Sequence, residues 1–260
     1  FFMGWAQVWR TRMREAQQLT EQSIALYRGL DDPGALAQAI NSAGHVLLAE
    51  GDLQGARKRY EEARGLRQQI AVLPDLADSK VSFALLALAE GKPAEAESLL
   101  RDAIVEFEKD RSVGSQVMGN VTLSRALQEQ GKLDDAQKIV AIAADLNRKN
   151  SDPGLKLLVS IQRARVESAS TAPDAAGKKQ IVRGQAQLRS AIASAKELGY
   201  YESECEARLA LGELELKTNP AAARLQLSTL ANEARARELE LVASKATQLS
   251  SYSAIASRAK

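Results

Sequence analysis

The chain has 260 residues, 45% hydrophobic and only 4% aromatic, with 35 basic and 33 acidic side chains and a formal net charge of +2. That length can bury a sizeable core, and bases and acids alternate within segments such as Ala56-Arg-Lys-Arg-Tyr-Glu-Glu-Ala63, which argues against a polyanion-binding stripe and a direct nucleic-acid partner. The single cysteine excludes an internal disulfide framework, and no apolar run approaches the length of a membrane span.

Ala, Leu, Glu, Gln, Arg and Lys dominate, Gly and Pro are sparse, and β-branched residues rarely cluster, so an all-α chain is expected. The first ten residues, Phe1-Phe-Met-Gly-Trp-Ala-Gln-Val-Trp-Arg10, hold four of the eleven Phe, Trp and Tyr residues. They lack a basic leader and a small-residue cleavage site, so they do not read as a signal peptide. The chain begins without an initiator Met and is expected to be a piece of something longer.

A repeat organises the chain. Gly44, Ala56 and Ala63 are spaced 12 and 7 apart, and so are Ala84, Ala96 and Ala103, then Ser124, Ala136 and Ala143. Gly4, Ala16 and Ser23 keep the same spacing, and 40 residues beyond Ser124 lies Ala164. A turn recurs in phase at Gly51, Gly91 and Gly131. This is the pattern of helical hairpins: Gly stops the first helix in a left-handed turn, and small residues let the two backbones approach closely. Asp52 is placed to cap a second helix.

The segment Gly44-His-Val-Leu-Leu-Ala-Glu-Gly-Asp-Leu-Gln-Gly-Ala-Arg-Lys-Arg-Tyr-Glu-Glu-Ala63 resembles the tetratricopeptide repeat, including the aromatic at Tyr60. The 40-residue period is similar to longer repeats attached to bacterial serine/threonine kinases and winged-helix regulators. The resemblance implies a right-handed α-α superhelix, a solenoid of about six hairpins. Its units are 1–31, 33–72, 75–110, 112–150, 153–199 and 201–238, followed by a capping helix over 239–259. In the fifth unit Ser168-Ala-Ser-Thr-Ala-Pro-Asp-Ala-Ala-Gly177 adds ten residues before Ala186 and Ala193, as a long loop or an extended first helix.

Reactive constellations are missing. His45 is the only histidine and Cys205 the only cysteine, so neither a zinc cluster nor a Cys–His nucleophile is expected; no cofactor and no catalysis are expected. Residues 1–14 also resemble a segment of neprilysin-like zinc metallopeptidases, but the chain has no zinc-binding motif, and Gly4, Ala16 and Ser23 fit the repeat instead. The tetratricopeptide resemblance implies a protein or peptide partner in a concave groove lined by first helices. Its groove positions map onto Trp5, Trp9, Asn41, His45, Arg125, Gln128, Arg165 and Arg208, among neighbours such as Gln38, Met118, Leu158 and Ile161. Arg125, Arg165 and Arg208 would hold an acidic peptide or bridge to Glu129, Glu167 or Glu206. Trp5 and Trp9 would floor the groove or pack on a preceding repeat. The chain is thus read as a non-catalytic interaction or sensor region of a larger bacterial regulatory protein, with cytoplasm favoured over periplasm. The alternative is a ligand-sensing or oligomerisation module controlling an attached kinase or winged-helix domain.

Overall fold

A computed structural model describes residues 13–70, 73–169 and 175–256. Trp5, Trp9 and Gly4 lie outside the described residues. The described chain is a succession of antiparallel helices: α1 (Met13–Gly29), α2 (Pro33–Ala49), α3 (Leu53–Ile70), α4 (Leu73–Ala89), α5 (Pro93–Lys109) and α6 (Val113–Glu129). Then come α7 (Leu133–Leu146), a 3-10 turn (Asn147–Lys149), α8 (Pro153–Ala169), α9 (Ala175–Leu198), α10 (Tyr201–Thr218), α11 (Pro220–Arg235) and α12 (Glu240–Ala256). The helix starts at 53, 93 and 133 repeat every 40 residues, and those at 33, 113 and 153 keep the same phase.

Local chemistry sets those boundaries. Gly51, Gly91 and Gly131 adopt φ of 81°, 73° and 76° and close the first helix of each hairpin. The same pair of bonds recurs: Gly51 and Asp52 N–H donate to the Leu48 and Leu47 carbonyls, and Gly131 and Lys132 N–H to Gln128 and Leu127. Asp52 then caps α3 by accepting from the Gly55 N–H at 2.9 Å, and Asp32 caps α2 by accepting from Ala35.

Within each hairpin the recurring small residues sit where the helices touch. Ala56, Ala63, Ala96, Ala103, Ala136 and Ala143 are all fully buried. At position 44 a Cβ would lie 2.5 Å from Cε1 of Tyr60, so only Gly admits that ring. Ser124, at the same place in the fourth unit, donates its Oγ to the Ala136 carbonyl at 2.8 Å. Leu100, Phe107, Leu123 and Leu127 fill the space around the alanines in the middle of the array.

The fifth unit departs from the sequence reading. The stretch 168–177 is not one loop: α8 runs to Ala169 and α9 starts at Ala175, so most of the added length enters the second helix, which reaches 24 residues. Ala186 and Ala193 are exposed, whereas Gly184 and Ala191, also seven apart, are buried at the hairpin contact. The insertion is therefore eight residues, and the next first helix, α10, starts 48 residues after α8, at Tyr201. That offset carries Ala164 to Gly212, where a Cβ would lie 2.5 Å from Leu227.

Gly44→Ala is expected to lower stability by about 1–3 kcal/mol, because the buried Tyr60 ring must move. Gly65→Ala, on α3 with nothing within 4 Å of the added methyl, is expected to raise stability by up to about 1 kcal/mol. Urea unfolding of the two variants checks the contrast.

Candidate functional site

The first helices α2, α4, α6, α8 and α10 form one wall, and their inner residues bound a cavity of about 1060 Å³. Successive units contribute His45, Leu85, Arg125 and Arg165 at a 40-residue interval, with Met118, Val121, Leu158 and Ile161 between them. From α10 come Glu202, Ser203 and Glu206. The opposite side is only partly open. The turn 236–238 and α12 cross the mouth, placing Leu241, Val242 and Lys245 against the cavity, and Met13, Arg14, Glu15 and Gln18 of α1 complete the rim. The cap expected at 239–259 therefore does more than cover the last hairpin. It also packs against α1 and α2, the first described helices.

The second unit spends its candidates internally. Asn41 Nδ2 donates to His45 Nε2 at 3.0 Å, which leaves His45 Nδ1 to carry the proton and donate to Tyr60 Oη at 2.8 Å. Ser82 of the next unit donates to Asn41 Oδ1 at 2.9 Å. Burial and the nearby Arg67 guanidinium hold His45 at about 3, far below the usual 6.5. Arg67 itself is buried, donating to Ser79 at 2.8 Å and to Gln38 at 3.0 Å. Gln128 is likewise engaged, accepting from Gln162 Nε2 at 3.0 Å. Of the candidates, His45, Arg125 and Arg165 border the cavity; Asn41 and Gln128 serve contacts between units.

The three arginines do not form one row. Arg125 pairs with Glu129 on its own helix at 3.2 Å. Arg165, almost entirely buried, lies 3.4 Å from Glu206 and 3.2 Å from Glu213, both on α10; the second contact is an ion pair without hydrogen-bond alignment. Arg208 faces a different cavity, beside Leu211 and Leu225, and pairs with Glu233 at 2.6 Å and Glu204 at 3.4 Å. The insertion explains the misplacement. Counted from the start of its helix, the equivalent of Arg165 in α10 is Glu213, not Arg208.

The sequence reading names Glu206 as a bridging partner, which Arg165 meets at 3.4 Å, but misses Glu202 and Lys245. The true offset locates the α10 glutamates, but Lys245 lies outside the repeat and has no periodic signature. Burial raises Glu206, yet Arg125, Arg165 and Lys245 outweigh it and hold the carboxyl at about 2. Glu202 is pushed up to about 7 by burial and by the Glu206 charge. Lys245 falls to about 8 because Arg125 faces it and because it is buried. Cys205 is buried, its thiol raised to about 12 by desolvation, and carries no nucleophile here. Among the described residues no group of three or more His, Cys, Asp or Glu is placed to hold a metal, and no helix is long and apolar enough to cross a membrane.

Comparison with solved structures places this architecture among helical repeats. BtubC from P. vanneervenii aligns over 87% of this chain and 91% of its own, at 16% identity and a TM-score of 0.57. A Rap protein complexed with Competence and Sporulation Factor aligns over 96% of this chain and 75% of its own, at 11% identity and a TM-score of 0.60. Yeast Tom70 aligns over 90% of this chain and 43% of its own, at 16% identity and a TM-score of 0.50. No family model matches the chain, and no curated protein matches it. The fold is that of a tetratricopeptide-like solenoid.

Two outcomes test the polar interior. Between pH 6.5 and 3 the unfolded chain binds a proton at His45 that the folded chain refuses, so this stabilising contribution is full above 6.5 and drains as pH falls. Glu202 acts oppositely: its folded-state value exceeds the usual 4.5, so its contribution is lost as pH rises through about 7. The unfolding free energy of the wild type relative to His45→Gln, which isolates the imidazole, is expected to fall steadily from pH 7 to 4. Arg165→Met is expected to cost about 3 kcal/mol or more by stranding Glu206 and Glu213, with Glu206→Gln in the same chain restoring part of it. A double-mutant cycle by urea unfolding reads that recovery.

Proposed function

We propose that the chain is a non-catalytic scaffold that binds a segment of a partner protein, or a peptide, in the concave cavity. In this reading it is the interaction or sensor region of a larger bacterial regulatory protein. The observation that carries it is the wall itself: five first helices present apolar side chains and arginines to one volume, in register with the 40-residue repeat. Apolar patches such as Met118, Leu158 and Leu85 supply contact area, and Arg125 and Lys245 supply polar specificity. The similarly folded Rap protein, complexed with Competence and Sporulation Factor, supports the reading by fold alone.

A second reading is a small-ligand sensor controlling an attached kinase or winged-helix domain. Closure by α12 favours it, because a bounded cavity of about 1060 Å³ is near the upper range of small-molecule sites.

Selection from a displayed library of twelve-residue peptides is expected to yield binders of this protein. Met118→Arg, in the cavity, is expected to weaken the selected peptide at least ten-fold, while Ile142→Arg, on the exposed face of α7, leaves it unchanged. Melting curves of both variants confirm folding. A library that yields no binder, or a binder sensitive only to Ile142→Arg, removes the scaffold reading.

A further inference from the structure

The mouth of the cavity is crossed by α12, so the contact between α12 and the first hairpins governs access for anything as large as a peptide. That contact has a buried apolar part and a polar margin, and Leu241 of α12 also packs against the cluster of Leu48, Tyr60 and Leu86. Its apolar part is Met13 and Ala16 of α1 and Val46 of α2 against Leu239, Val242 and Ala243. Its polar margin is exposed: Arg14 donates to Glu238 at 3.0 Å, while Gln17 donates to Glu50 at 2.6 Å within the first helices. Glu50 and Glu238 face each other there, and burial together with Glu238 raises the Glu50 carboxyl despite the bond from Gln17. Just before α12, Glu238 adopts φ of 63°, a left-handed turn without glycine. On the inner side Lys245 lies near Arg125, whose like charge repels it, and near Glu206 and Glu129, which attract it. The same buried cluster continues into α11 through Leu227, Leu230, Ala231 and Ala234. α12 thus bridges the last hairpin and the first described helices.

We propose that this seam is a clasp: α12 parts from α1 and α2 to admit a ligand to the concave cavity and rejoins them over it. The proposal rests on the cavity being the binding site, and its test separates the two.

Two experiments decide it. In a Cys205→Ala background, Val46→Cys places a thiol under the seam, and Ala16→Cys provides a second position should the first variant fail to fold. With 5,5′-dithiobis(2-nitrobenzoate), labelling is expected at least ten-fold faster than global unfolding allows and nearly independent of dilute urea. A rate that tracks global unfolding, with its full urea dependence, overturns the clasp whether or not any ligand is known. The second experiment locks the seam. A Cβ at Gly51 lies 3.4 Å from the Glu240 Cβ, close to disulfide spacing. In Cys205→Ala, Gly51→Cys, Glu240→Cys the reduced protein is expected to bind the selected peptide, and the oxidised protein at least ten-fold more weakly. The reduced form has the same strained residue 51 and is the control. Equal affinity in both states overturns the clasp while leaving the cavity as the site. Failure to bind in either state, where the wild type binds, leaves the labelling rate to decide the clasp.

Discussion

The close approach of the two helices in each hairpin is the constraint on which the rest depends. Gly44 against Tyr60 and Gly212 against Leu227 leave no room for a methyl group. The repeated alanines on α3 seal the first of these contacts, and those on α5 and α7 seal the same contact in the next two units. A fixed interhelical distance, repeated with a fixed turn, gives each unit the same small rotation relative to the last. The wall of first helices is the sum of those rotations. His45, Leu85, Arg125 and Arg165 share a cavity because they share a phase, although 120 residues separate the first from the last.

Much of the fold is legible in the sequence. Small residues, glycine turns and helix caps are local, and each prints its requirement at a fixed interval. Helix boundaries and hairpin contacts from α1 to α8 follow from that interval. The site is legible in part. His45, Arg125 and Arg165 border the cavity as their phase implies, but phase alone does not tell a free polar group from an engaged one. Asn41, Gln128 and both nitrogens of His45 are consumed by internal bonds, since a polar side chain buried between helices must find a partner there. Arg208 is misplaced by the sequence reading because the insertion hides the 48-residue offset, which carries Arg165 to Glu213. Lys245 has no signal at all: closure of one end of a solenoid on the other is a property of the summed rotation, which no single unit contains.

The interfaces between units differ in kind. Where α4, α5 and α6 meet, Leu100, Phe107, Leu123 and Leu127 give an apolar contact. Between α8 and α10 the contact instead includes Arg165 held between Glu206 and Glu213. Buried ion pairs contribute little net stability because desolvation offsets attraction, but they penalise every arrangement that separates the charges. The polar interfaces therefore act on geometry, setting how the last hairpin is aimed more than how tightly it is held.

That aim decides whether the ends meet. In an array where each unit touches only its neighbours, a small change in rotation at one interface is carried through every later unit. The glutamates of α10 lie between Arg165 of the preceding unit and Lys245 of α12, so the same charges that orient the last hairpin also face the closing helix. Glu206 attracts Lys245 while Arg125 repels it, leaving closure balanced between opposing terms.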